Sequence, residues 1–98
     1  MDRNTYVHTF KEPFEYEDKT YKELVFEFGK LKGKDIIAIQ NEILARGGVT
    51  TSPELDAEFQ SKFAAKAAGI GSDVIENLPA KDFLRITSRA RNFLLGLG

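Results

Sequence analysis

The sequence has no cysteine and only one histidine. Without cysteine the chain has no disulfide framework, no thiolate zinc site and no cysteine nucleophile. A single histidine, His8, is too few for a histidine-rich metal site, and most catalytic triads would have to borrow a residue from elsewhere. We therefore expect no cofactor and no metal, and we expect His8 to be a surface residue near a frayed N-terminus.

Long apolar runs are also missing. No stretch approaches the ~20 apolar residues that span a bilayer. Residues 1–5 lack the basic region and the apolar stretch that open a signal peptide. These absences predict a soluble cytosolic protein with no membrane partner.

Neither sign of charge predominates, since the net charge is −1. Nucleic-acid binding usually needs a clear basic excess, so the composition argues against it. The charges nevertheless form blocks of alternating sign: −3 over residues 1–28, +2 over 29–47, −3 over 48–80 and +3 over 81–98. A partner therefore meets surfaces of both signs.

A length of 98 residues predicts one domain, which we place at residues 12–98 behind a flexible N-terminus at residues 1–11. Apolar and aromatic residues alternate with their neighbours in its first part, at Phe14, Tyr16, Leu24, Phe26 and Phe28. A period of two rich in aromatics is typical of strands. We expect a β-hairpin over residues 12–28, with Pro13 at the start of its first strand.

The apolar period then changes to that of α-helices, which are predicted at residues 34–46, 53–68, 72–78 and 80–95. Ile36, Ile37, Ile39, Ile43 and Leu44 are expected to form one apolar stripe on the first helix. Ser52 before Pro53 is a favourable start for the second helix. The prediction is an α+β fold that is mostly helical, an N-terminal hairpin followed by three main helices and one short helix.

No pattern for catalysis emerges. The segment Gly29–Asp35 precedes a helix, but a P-loop needs four residues between its glycines and a serine or threonine after its lysine. We interpret the segment as a flexible turn between strand and helix. Paired acids such as Glu15 and Glu17 lie on polar faces, and nothing places them in a cleft. A hydrolase is the weakest hypothesis, and we predict that the protein is not an enzyme.

The last predicted helix carries Lys81, Arg85 and Arg89 at four-residue spacing. We favour a solvated face opposite the apolar stripe of Phe83, partly paired with Asp82 or with acids elsewhere. The functional interpretation is a docking surface for an acidic protein or, less favoured, for phosphate.

The same helix ends in an apolar run. One helix cannot easily bury Leu94, Leu95 and Leu97 together with its core residues, so part of this surface is expected to await a partner. The candidate partner-binding residues are therefore Lys81, Arg85, Arg89, Phe93, Leu94, Leu95 and Leu97.

An ordered series of short runs resembles the small phage tail assembly chaperones. The run Phe14–Phe26 is similar to their opening hairpin, and Leu31–Ile36 is similar to the start of their first helix. Ala64–Ile70, then Leu78–Pro79 and Asp82–Phe83, resemble the later helix, its glycine break and the final helix. The resemblance covers about residues 12–95. Lys32 departs from the pattern, which often has a serine or threonine cap there.

The resemblance implies a non-enzymatic factor that binds the tape measure protein, keeps it soluble and helps to recruit tail tube subunits. It also implies action in the cytoplasm of the bacterial host, absence from the finished virion and, in many relatives, a frameshifted longer product. Self-association stays open. The alternative is a small regulatory or nucleic-acid-binding module that uses the basic last helix.

Overall fold

The computed structural model describes residues 4–49 and 52–96. In this part of the chain a two-stranded antiparallel hairpin is followed by helices, which confirms the predicted α+β class. The elements are β1 (Thr5–Tyr16), β2 (Lys19–Glu27), α1 (Gly33–Ala45), α2 (Ala57–Ala68), α3 (Ser72–Glu76) and α4 (Ala80–Leu94), with 3₁₀ turns at Phe28–Lys30 and Pro53–Leu55.

The hairpin is longer than predicted. Strand β1 begins at Thr5 rather than at residue 12, so the flexible N-terminus predicted for residues 1–11 is wrong for the strand residues within it. The physical reason is that Tyr6, His8 and Phe10 continue the alternation of the strand toward the core side. His8 is only 2% exposed, so the prediction of a surface histidine is wrong.

The turn and the register of the hairpin follow from local backbone requirements. Glu17 and Asp18 form the turn with positive φ angles of 48° and 65°, as tight hairpin turns that match the strand twist require. The register shifts between Thr9 and Phe14. Pro13 lies in that irregular stretch rather than at the strand start, so its missing N–H interrupts no regular pairing.

Helix α1 buries only part of its predicted stripe. Ile39 and Ile43 are almost fully buried, whereas Ile37 and Leu44 are 59% and 60% exposed. Ile37 and Leu44 are two turns apart, on a side of the helix that the described elements leave exposed. The prediction of a single stripe is wrong here, because five apolar positions span more of the circumference than the core contacts.

The start of α1 compensates for the missing serine or threonine cap. The Lys32 side chain makes no capping hydrogen bond. The carboxylate of Asp35 instead accepts the backbone N–H of Lys32 at 2.8 Å. This is the acidic half of a capping box, so an unpaired donor at the helix start is satisfied.

Helix α2 begins later than predicted. Ser52 makes no side-chain cap, and Pro53 opens a separate 3₁₀ turn. The cap of α2 is Asp56, whose carboxylate accepts the backbone N–H of Phe59 at 3.0 Å. The chain bends between the two segments because Asp56 has an extended backbone conformation.

Helix α2 is the centre of the core and positions the end of α4. It contacts β2, α1, α3 and α4, and its Phe59 and Phe63 are at most 1% exposed. The ring of Phe63 stacks on Phe28 after the hairpin, at 5.8 Å between centroids, and on Phe93 of α4, at 5.9 Å. This aromatic cluster anchors the last turns of α4 against the hairpin and α2.

Candidate partner-binding surface

The described part of the chain shows no arrangement suited to metal chemistry. Within residues 4–49 and 52–96, no group of three or more histidine, aspartate or glutamate residues could hold a metal ion. Across the same ranges, every helix is too short or too polar to cross a membrane. Glu15 and Glu17 are exposed beside the hairpin turn. The candidate functional residues lie on α4 and on the segment that leads into α1.

The basic stripe of α4 is exposed. Lys81, Arg85 and Arg89 lie at i, i+4 and i+8 on one side of the helix. In the described ranges none of the three has a carboxylate within 4.0 Å. The guanidinium of Arg89 lies 4.6 Å from the centre of the Tyr6 ring, a cation–π contact.

Asp82 does not neutralise the stripe, so the predicted pairing with it is wrong. Its Oδ1 accepts a hydrogen bond from Nε2 of His8 at 2.7 Å. Because the carboxylate is an acceptor, Nε2 carries the proton, and the hydroxyl of Tyr6 can donate to Nδ1 at 2.7 Å. Burial raises the pKa of Tyr6, and the charges of Arg89 and Arg85 oppose that shift.

The apolar end of α4 is only partly buried. Phe93 packs on Phe28 and Phe63, and Leu94 also packs against the core. Leu95 is 43% exposed, whereas Leu97 lies outside the described residues. The expectation that one helix would leave part of this run uncovered therefore holds for Leu95.

Phe93 and Leu94 line a groove between the end of α4 and the start of α1. The groove has a volume of about 260 Å³, and its apolar lining residues are Leu31, Ile36, Phe63, Phe93 and Leu94. The sequence did not indicate that Leu31 and Ile36 belong to this surface. The groove joins segments about 60 residues apart, and a local sequence pattern does not predict which distant segments come into contact. Lys81 lies about 18 Å along the helix from Phe93, so the seven predicted residues do not form a single cluster.

The mouth of the groove is basic. Among the described residues, Lys32 is the one charged residue that lines it, and no described aspartate or glutamate does. Lys34 follows in the first turn of α1 and is exposed. Across the described ranges neither lysine forms an ion pair, whereas Lys30 is paired with Glu27 at 3.1 Å.

A family model described as "Phage tail assembly chaperone proteins, E, or 41 or 14" matches residues 7–95. The chain belongs to this family of phage tail assembly chaperones. No curated protein and no solved structure is significantly similar to it. The family gives this chaperone a role in tail assembly within the host, implies phage tail proteins as partners and favours a non-enzymatic role.

This chaperone also has a larger open depression, of about 570 Å³, between α2, α3 and the start of α4. Charged side chains of both signs line it, among them Glu58, Lys62 and Asp73. Glu58 is already engaged, because Arg46 forms an ion pair with it. The depression therefore presents no uniform charge or apolar floor to a partner, unlike the groove beside α4.

Proposed function

We propose that this chaperone binds the tape measure protein of its phage without catalysis, keeps that protein soluble and helps to recruit tail tube subunits around it. The match of the chaperone family to residues 7–95 is the observation that carries the proposal. The proposal includes action in the host cytoplasm and absence from the finished virion.

The surface of α4 suits a client that must later be released. Lys81, Arg85 and Arg89 contribute exposed positive charge, and Leu95 contributes exposed apolar area. Charged contacts of this kind steer association and are screened by salt, whereas a modest apolar area limits affinity. We propose that these residues, together with Phe93, Leu94 and Leu97, contact the client.

The test is co-expression of the tape measure protein with and without the chaperone. We expect the wild-type chaperone to raise the soluble fraction of the tape measure protein several-fold. The double variant Lys81→Glu/Arg85→Glu is expected to lose most of that gain. A matched control, Lys19→Glu/Lys22→Glu, makes the same change of charge at exposed positions of the hairpin and is expected to behave as wild type.

Two outcomes contradict the proposal at different levels. An equally insoluble tape measure protein with and without the wild-type chaperone removes the proposed function. Full activity of Lys81→Glu/Arg85→Glu leaves the function in place and removes the basic stripe from the client surface.

The basic stripe also supports a second candidate function, a regulatory or nucleic-acid-binding module. Its support is the exposed positive face of α4, and the net charge of −1 opposes it. A gel shift with duplex DNA and with single-stranded RNA at low salt discriminates the two. A shift that Lys81→Glu/Arg85→Glu abolishes favours the module, and no shift removes it.

A further inference from the structure

The groove between α1 and α4 has an apolar floor that residues 4–49 and 52–96 leave open. Leu31 and Ile36 form one wall, Phe93 and Leu94 form the other, and all four are partly buried against the core. Its volume of about 260 Å³ is below that of pockets that hold drug-sized ligands, which begin at about 300 Å³. An open groove of this size suits one or two apolar side chains of a larger partner.

A glycine is among the lining residues of the groove. Gly33 is the first residue of α1 and lines the groove. A Cβ placed at Gly33 meets no atom within 4 Å, and its φ is not in the left-handed region. A side chain can therefore be added at this lining position without a clash at its Cβ.

The charges around the groove select the sign of the partner. Lys32 lines the groove, and Lys34 is exposed two residues later in the chain. Neither lysine forms an ion pair in the described part of the chain. The nearest acid in sequence, Asp35, is engaged with the backbone N–H of Lys32. On α4, Arg91 is exposed three residues before Leu94 and has no ion pair in the described residues. Lys32, Lys34 and Arg91 outnumber Asp35, so the charge next to the groove is net positive and complementary to carboxylates.

We propose that this groove binds an amphipathic helix that inserts apolar side chains spaced by three or four residues and is flanked by glutamate or aspartate. A hydrophobic groove is the arrangement that receives the apolar face of an amphipathic helix. The inference rests on the proposed function, since the helix is taken to belong to the tape measure protein. It is distinct from the basic stripe, because Lys81 and Arg85 lie more than one turn away from the groove along α4.

The first test fills the groove. Gly33→Leu places a side chain in the open space and replaces the residue with the poorest helix propensity after proline, so the fold is expected to be retained. Ala45→Leu is the control, since it places the same leucine side chain at an exposed position at the other end of α1. Circular dichroism and thermal unfolding of both variants verify folding.

The binding probes are two synthetic helical peptides with leucine at i, i+3, i+4 and i+7, one flanked by glutamate and the other by lysine. By fluorescence anisotropy we expect the acidic peptide to bind the wild type and Ala45→Leu at least tenfold more tightly than Gly33→Leu. We expect the basic peptide to bind all three proteins weakly. We expect Lys32→Glu/Lys34→Glu to weaken binding of the acidic peptide at least fivefold. The control Lys19→Glu/Lys22→Glu is expected to leave that binding unchanged.

Co-expression separates the inference from the proposed function. If the wild type keeps the tape measure protein soluble and Gly33→Leu does so equally well, the function stands and the groove proposal is wrong. Equal binding of the acidic peptide to wild type and Gly33→Leu also overturns the groove proposal. If Gly33→Leu instead converts an oligomer of the free chaperone to a monomer and leaves client binding unchanged, the groove binds a second copy, and the proposal is again wrong. If the wild type itself does not keep the tape measure protein soluble, the proposed function is wrong, whatever the result with Gly33→Leu.

Discussion

Three polar side chains, Tyr6, His8 and Asp82, form a network that joins β1 to the first turn of α4. The imidazole of His8 is 2% exposed, and both of its nitrogens have partners at 2.7 Å. The ring also makes an edge contact with Phe10, at 4.8 Å between centroids. The network fixes the start of α4 against the hairpin and places Arg89 over the ring of Tyr6.

Removal of Asp82 tests the network. Asp82→Ala leaves the N–H of His8 buried without its acceptor, so we expect a loss of about 1–3 kcal/mol in the free energy of unfolding. Lys81→Ala, at the neighbouring exposed position, is expected to change it by less than about 0.5 kcal/mol. Urea denaturation of both variants measures the difference. Equal stability of Asp82→Ala and wild type would show that the network contributes nothing.

Tyr6 makes stability depend on alkaline pH. Burial raises the pKa of Tyr6 in the folded state above the ordinary 10.0. At a pH between 10.0 and this higher pKa, the folded state therefore retains a proton that the unfolded state has lost. The stability contributed by Tyr6 is therefore complete below pH 10 and is lost as pH rises through the folded pKa. We expect wild type to lose more stability than Tyr6→Phe between about pH 9 and about pH 11. An equal loss in the two proteins contradicts this origin.

The position of His8 in the strand was predictable, but its hydrogen-bond partner was not. Tyr6, His8 and Phe10 alternate with Val7 and Thr9, which is the same period that predicted the later strands. Proximity to the N-terminus was the misleading signal. Asp82 is 74 residues away in sequence, and only the packed fold brings it to the imidazole.

At the scale of elements, the five residues from Ser52 to Asp56 before α2 show how a local cap sets the start of a helix. Ser52 followed by Pro53 favours a helix start at that point, and Asp56 favours one four residues later. Of these two candidates, Asp56 is the one whose side chain accepts a backbone N–H, that of Phe59. The Pro53 segment remains a 3₁₀ turn, and α2 presents Phe59 and Phe63 to the core in the register that its later start defines.

Two alanine substitutions distinguish these caps. Asp56→Ala removes the acceptor for the N–H of Phe59, and loss of a cap costs about 1 kcal/mol. Ser52→Ala removes no capping bond, so we expect it to change the free energy of unfolding by less than about 0.5 kcal/mol. Thermal or urea unfolding measures both. A larger loss for Ser52→Ala than for Asp56→Ala would contradict the assignment of the cap.

The elements themselves were predictable in type, and their packing was less so. Periodicity located the helices to within a few residues, because alternate and helical spacing are properties of short segments. It could not tell which of five apolar positions on α1 would face α2, so Ile37 and Leu44 were wrongly assigned to the buried stripe. The groove could not be predicted for the same reason, because Leu31 and Ile36 lie beside Phe93 and Leu94 only in the folded chain.

At the scale of the whole molecule, the small net charge conceals unpaired positive surface. Lys32, Lys34, Lys81 and Arg85 have no ion-pair partner in the described residues, whereas most of the acids lie on the hairpin and in the region of α2 and α3. Positive charge beside apolar side chains is therefore concentrated where α1 begins and along α4.

Binding of the tape measure protein is expected to weaken with salt. The Debye length falls from about 10 Å at 0.1 M to about 3 Å at 1 M ionic strength, which screens exposed lysine and arginine contacts. We expect the dissociation constant, from titration at several salt concentrations, to rise several-fold over this range. A constant or falling value would show that apolar contacts alone hold the complex.

The central claim is that this protein forms a soluble complex with the tape measure protein. The direct measurement is size-exclusion chromatography with light scattering on the two proteins purified together after co-expression. We predict that they elute as one soluble species with a mass above that of either chain, and that Gly33→Leu reduces its yield. An aggregated tape measure protein in the void volume, with the chaperone eluting alone, would contradict the account.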